Sequence, residues 1–257
     1  MTTRDFLQSF DHPIPVFAML HLKGSSPAEK LAIARRETEI LWASGVDAVI
    51  VENYFGSTDD VVAVCRWLTE AAPEVVFGVN ILKDDKKAFA VANAFGARFI
   101  QLDSVSGHLP AAEDARFGAW LNAERGKSNA FVLGGVRFKY QPYLSGRPLA
   151  EDLIIGKSRC DAVVVTGEGT GLNTPSEKTK QFRAVLGNGF PIVIGAGVTP
   201  ASCVTDLADA DAVIVGSYLK DSYVDTGDVD ADHAREFVQA VRALGETRMT
   251  GKAEISR

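Results

Sequence analysis

Chemistry-bearing side chains in this sequence stand where apolar runs end. Glu52 closes Asp47-Ala-Val-Ile-Val-Glu52, His21 follows Pro15-Val-Phe-Ala-Met-Leu20, Asn80 closes Val75 to Asn80, and Asp103 follows Arg98 to Leu102. Arg137 and Lys139 flank the end of Phe131 to Phe138, and Thr166 ends Asp161-Ala-Val-Val-Val-Thr166. A carboxylate at the end of an apolar strand is costly to bury unless it is paired or used as an acid or base. Glu52 therefore reads as a general base, or as a structural partner of Lys139 or Arg137. Lys139 suits an electrophile, a phosphate ligand, a Schiff-base nucleophile of lowered pKa, or plain charge pairing. His21 suits a proton carrier, a metal ligand, or a hydrogen-bonded wall residue.

Two consecutive strand-like runs end in glycine and a small hydroxyl residue: Pro191-Ile-Val-Ile-Gly-Ala-Gly-Val-Thr199 and Asp211-Ala-Val-Ile-Val-Gly-Ser217. At Gly195, Gly197, Val198, Thr199, Gly216 and Ser217 backbone can approach a ligand, and an anion fits between such turns. Thr199-Pro200 fits a helix start, Thr as N-cap and Pro in the first turn, whose positive end would face the anion. The plainer alternative is a pair of tight strand-to-helix turns. The loop Thr166-Gly-Glu-Gly-Thr-Gly-Leu-Asn-Thr174, with Thr166 and Gly167 at its root, suits wrapping a ligand or covering it as a lid. It lacks the Gly-Lys-Ser/Thr ending of a P-loop.

To position these ends the chain must alternate strands and helices. Helical patterns fall at about Pro27 to Ser44, Asp59 to Ala72, Lys86 to Phe95, within Ser104 to Asn129, Leu149 to Lys157, Ser176 to Leu186 and Ala231 to Leu244. Eight apolar strand candidates between such stretches predict one α/β domain, a single (β/α)8 TIM barrel over residues 1–246, with residues 247–257 as a polar tail. No GxGxxG follows the first strand, which argues against a dinucleotide-binding open sheet. In a barrel the strand C-termini share one mouth, so the residues above converge although far apart in sequence.

Composition narrows the partners. At 257 residues, 46% hydrophobic and 23% charged, the chain is ordinary for a globular domain. A net charge of -6 and a pI near 5.3, without a basic stripe, exclude a sequence-independent nucleic-acid binder. Cys65, Cys160 and Cys203 lack metal or disulfide spacing and read as buried thiols. No run of about 18 apolar residues indicates membrane insertion, so a cytoplasmic location is expected. No cofactor is indicated; a divalent metal and a homo-oligomer stay open.

With the strand ends assembled, the sequence resembles the BtpA/SgcQ family across nearly its whole length. The match rests on Phe17-Ala-Met-Leu-His-Leu22, Gly45-Val-Asp-Ala-Val-Ile-Val-Glu-Asn53, Gly78-Val-Asn-Ile-Leu82, Asp161-Ala-Val-Val-Val-Thr-Gly167, Gly195-Ala-Gly-Val-Thr-Pro200 and Ala212-Val-Ile-Val-Gly-Ser-Tyr-Leu-Lys220. The resemblance implies a TIM barrel with a phosphate-type site at strands seven and eight. Near strand five that family tends to carry His-x-Lys-His where this chain has Arg137-Phe-Lys-Tyr140, and Asp103 replaces a more usual Asn. Lys139 carries over; the flanking histidines do not. The expected function is acid-base chemistry on a small phosphorylated, sugar- or nucleoside-like metabolite, as isomerase, epimerase or lyase. Ligand binding would use Arg137, Thr166 and the glycine turns. The family's name implies the alternative, a non-catalytic assembly or stability factor for a membrane complex of the photosystem I type.

Overall fold

The computed structural model describes residues 6–255, and the side chains of residues 6–250. Eight parallel strands close on themselves, β1 pairing with both β2 and β8. The strands are β1 (Val16–Leu20), β2 (Ala48–Glu52), β3 (Phe77–Asn80), β4 (Phe99–Ser106), β5 (Phe131–Val136), β6 (Ala162–Val165), β7 (Ile192–Ile194) and β8 (Ala212–Val215). Between and after them run α1 (Pro27–Ala43), α2 (Thr58–Ala71), α3 (Asp85–Phe95), α4 (Ala111–Lys127), α5 (Leu149–Arg159), α6 (Ser176–Leu186), α7 (Cys203–Asp206) and α8 (Ala231–Ile255). The predicted (β/α)8 barrel is the fold of the chain.

Local chemistry accounts for the helix starts. Ser26 accepts a hydrogen bond from the Glu29 amide with Pro27 as the first helical residue, and Ser57 and Asp60 form a reciprocal capping box at α2. Three strands begin with the same Asp-Ala-Val, at Asp47, Asp161 and Asp211, and the fold uses each aspartate identically. Its carboxylate accepts from the amide of a neighbouring strand (Val16, Val132 and Ile192, at 2.6, 2.7 and 2.8 Å) and pairs with an arginine (Arg242, Arg125 and Arg183). These clasps hold the N-terminal end of the barrel, away from the mouth.

Alternation along the strands fills the interior with Phe17, Met19, Ala48, Ile50, Phe99, Leu133, Ala162, Val164, Val193, Ala212 and Ile214. The N-terminal segment plugs the bottom: Phe6, fully buried, lies 5.8 Å from Phe17, 5.9 Å from Phe99 and 5.5 Å from Phe131. The other strand faces pack on the helices as one large apolar layer.

Three elements depart from the sequence pattern. β4 does not stop at Leu102 but runs to Ser106, with its register to β5 shifting between Leu102 and Ser106. The close approach is possible because residue 135 is glycine; a Cβ there would lie 2.1 Å from the Asp103 carbonyl oxygen. Arg159, donating to the Val105 carbonyl at 2.9 Å and to Asp114 at 2.6 Å, pins the extension. After β7, no helix starts at Thr199-Pro200. Thr199 and Ser202 exchange backbone-to-hydroxyl bonds of 3.0 and 3.2 Å, a local turn that competes with helix, and α7 spans only Cys203–Asp206. Finally, α8 passes Leu244 into the region read as polar tail, reaching Ile255, because Arg248 donates to the Ala210 and Leu207 carbonyls. Residues 256 and 257 lie outside the described chain.

Candidate active site at the barrel mouth

Extending the interior alternation one step toward the strand C-termini replaces apolar residues by polar ones. Met19 is followed by His21, Ile50 by Glu52, and Phe99 by Gln101 and Asp103, while Glu52 and Asn80 are register partners on β2 and β3. His21, Glu52, Gln101 and Asp103 floor a cavity of about 520 Å³ whose walls come from Lys139 after β5, from Gly195 to Thr199 after β7, and from Gly216 and Ser217 after β8.

Asn80, 2% exposed, ties the carboxyls together. Its amide nitrogen donates to Glu52 Oε1 at 2.8 Å and lies 3.4 Å from Asp103 Oδ1. Burial pushes Glu52 up to about 8, and the nearby Asp103 charge adds to it, against the opposing pull of Lys139 and Asn80. Asp103 is also raised, chiefly by burial. At neutral pH Glu52 therefore keeps its proton, and the carboxylate form that the expected general base needs is reached only above about pH 8. His21 Nε2 lies 3.7 Å from Glu52 Oε2, and burial together with the Lys220 charge lowers His21 to about 4, leaving a neutral imidazole. Its Nδ1 and the Gln101 Oε1 are buried without a hydrogen-bond partner among the described residues.

Of the two lysines that line this cavity, Lys83 and Lys139, Lys139 is the one whose charge acts on Glu52 and Asp103. Burial lowers it from the usual lysine range, and among the described residues no carboxylate lies within 4.0 Å of its ammonium, which reaches Thr170 Oγ1 at 3.3 Å. Thr166 does not face the ligand space; it is fully buried, and its Oγ1 accepts from the Lys139 amide at 3.0 Å. Thr166→Val, which strands that amide, should cost about 1–3 kcal/mol in denaturant unfolding; an unchanged midpoint would show that the bond does not hold Lys139 in place.

Some expected ligand residues lie elsewhere. The Arg137 guanidinium is engaged by Asp152 at 3.1 Å and by the Arg147 carbonyl at 2.7 Å, outside the cavity lining. Gly167 packs under the loop that follows it, where a Cβ would lie 2.3 Å from the Asn173 carbonyl oxygen. Lys220 is paired with Glu37 rather than with the mouth. Asn53 holds the β3 exit by accepting from the Leu82 amide at 2.7 Å. The glycine-rich loop does reach the site, placing Thr170 and Gly171 in the lining. Sequence reasoning missed Gln101, Tyr54, Lys83 and Tyr223, all lining residues. Gln101 was legible from alternation with Asp103; the others sit on loops whose course no periodicity reveals. Among the described residues no group of three or more His, Cys, Asp or Glu side chains is arranged to hold a metal ion, and no helix is long and apolar enough to cross a membrane.

Fold and site define a single (β/α)8 barrel with an ionisable pocket at its C-terminal mouth. The chain belongs to the BtpA family, whose model matches residues 15–243. It is 25% identical over 241 residues to the "Photosystem I biogenesis protein BtpA" of Synechocystis, covering 84% of each chain. Among solved structures it is similar to a thiamine phosphate pyrophosphorylase from Pyrococcus furiosus (TM-score 0.60, 15% identity, 91% of this chain and 98% of that one). A phosphoribosyl anthranilate isomerase from Thermus thermophilus gives a TM-score of 0.59 at 16% identity, covering 90% of this chain and 100% of that one. At these identities the structural likeness speaks for the fold.

Proposed function

We propose that the protein is an enzyme that isomerises, epimerises or cleaves a small phosphorylated metabolite by acid-base chemistry. The observation that carries this reading is the pair of carboxyls bridged by Asn80 beside a cavity lysine that has no carboxylate within 4.0 Å among the described residues. Glu52 delivers a proton to the substrate and Asp103 accepts one, the two carboxyls serving as acid and base of one reaction. Lys139 steadies negative charge that develops on the substrate, and neutral His21, 3.7 Å from Glu52, offers the substrate a hydrogen bond without adding charge. The phosphate lies against Gly197, Val198, Gly216 and Ser217, after strands seven and eight, where barrels commonly hold it. The structural relatives named for phosphorylated substrates support the reading by analogy of fold.

Thermal-shift screening against phosphorylated metabolites tests it, since a ligand at about 100 times its dissociation constant stabilises by about 2.7 kcal/mol. Ser217→Ala is the clean probe of the phosphate position, because the hydroxyl lines the cavity and has no hydrogen-bond partner among the described residues. It should leave the ligand-free melting temperature unchanged and weaken a phosphate ester about tenfold or more. Equal affinity in both proteins would move the phosphate elsewhere. Gly197→Val is unsuitable, since Gly197 has φ +81° and a Cβ would lie 2.3 Å from the Leu172 carbonyl oxygen. The relative's name favours an assembly factor as second reading. That role has no need of a buried carboxyl pair, and a screen in which no metabolite binds would favour it.

A further inference from the structure

From its rim, the mouth carries more than phosphate and acid-base groups. Tyr54 after β2, Tyr140 after β5 and Tyr223 after β8 all line the cavity, at 36%, 71% and 53% exposure. Exposed tyrosines are common singly, but three converging on one cavity from separate loops are not accounted for by folding. None is spent on packing against another: among the described residues no ring contact joins Tyr54, Tyr140 and Tyr223 to one another. Each is instead braced by other neighbours. Tyr54 stands 5.0 Å from the His21 ring and 4.8 Å from Phe55, and Tyr223 stacks on His233 at 4.4 Å and 19°. The Tyr140 hydroxyl accepts from the Thr170 amide at 2.9 Å, fixing that ring to the glycine-rich loop above Lys139.

Below the rim the walls are apolar, from Met19, Leu82, Phe138, Val198 and Ile214. At about 520 Å³ the space exceeds what a phosphorylated triose needs and is of the size that holds drug-sized ligands. Rigid aromatic faces around an apolar space recognise planar rings by stacking, independently of hydrogen-bond pattern. The buried Gln101 Oε1, which has no partner among the described residues, offers an acceptor to an N–H at the inner edge of that space.

We infer that the substrate carries a planar aromatic or heteroaromatic ring, of nucleobase or aryl type, held among Tyr54, Tyr140 and Tyr223, with its phosphate at the β7 and β8 turns. This rests on the phosphorylated-substrate reading above and names the other end of the same molecule. The bond that reacts then lies between ring and phosphate, over Glu52, Asp103 and Lys139.

Calorimetric or thermal-shift affinities for four probe classes test this: the 5′-mononucleotides with phenyl phosphate, ribose 5-phosphate, the corresponding nucleosides, and inorganic phosphate. At least one ring-bearing phosphate should bind about tenfold or more tighter than ribose 5-phosphate. Tyr54→Leu combined with Tyr140→Leu should abolish that advantage while ribose 5-phosphate binds as before, and the Phe variants at both positions should keep it. Ribose 5-phosphate binding as tightly as every ring-bearing ester overturns the ring site and leaves the phosphate reading standing. Nucleosides binding as well as their phosphates upholds the ring site and overturns the phosphate reading. No binding by any probe overturns both. The comparison within the parent protein decides the question even where a leucine variant fails to fold.

Discussion

Glu52→Gln should lower turnover on the true substrate about 10²–10⁴-fold, the usual scale for a positioned acid or base. The same variant should change how stability depends on pH, a readout that needs no substrate. With its carboxyl raised to about 8 by burial and by Asp103, native Glu52 holds a proton that the unfolded chain releases near its ordinary 4.5. The unfolded state thus binds fewer protons between these values, and stability falls as pH rises through that window. Stabilisation from the retained proton is complete below about pH 4.5 and lost by about pH 8. Glutamine mimics the protonated carboxyl throughout. Melting curves should therefore separate progressively above about pH 4.5, Glu52→Gln becoming the more stable protein toward pH 8.5. Curves that run parallel across the range would mean that Glu52 titrates normally and is not the acid of the mechanism. Turnover that depends on Glu52 as a base would rise about tenfold per pH unit below pH 8 and level off above it.

The barrel and the floor of the site were legible in the sequence for one reason: strand alternation is strict. Once Phe17 and Met19 face inward, His21 must as well, and the same step places Glu52 above Ile50. Loop geometry is not encoded by period. Arg137 looked as available as Lys139, two residues away, yet its backbone takes φ +48° and its guanidinium turns to Asp152 under the loop that follows. The turn after β7 was misread because Thr199 and Ser202 satisfy each other's amides locally, which a Thr-Pro helix-start pattern does not reveal. The threefold Asp-Ala-Val motif was visible but unassigned. Its aspartates clasp the end of the barrel opposite the mouth, so chemistry-bearing residues at strand starts served stability and those at strand ends formed the site.

Lys220 tests that division, because it leaves a strand at the mouth end and yet serves the frame. Its ammonium lies 2.9 Å from Glu37 Oε1 on α1, the two side chains being 1% and 3% exposed. Removing one member of such a pair leaves the other charge buried and uncompensated, so Lys220→Met should cost about 3–5 kcal/mol. For a domain of this size that is a fall on the order of 10 °C in melting temperature. Replacing both, Lys220→Met with Glu37→Leu, removes the orphan carboxylate and should recover most of the loss, since an apolar pair of similar volume is often as stable as a buried ion pair. The lysine also has an effect on the site that packing alone would not produce. Its charge is the second cause, after burial, of the lowered His21 pKa, so in Lys220→Met the imidazole should titrate at higher pH, followed by the NMR shift of its Cε1 proton. A single variant as stable as the parent, or a double variant no better than the single, would show that the pair is not the strut joining α1 to the exit of β8.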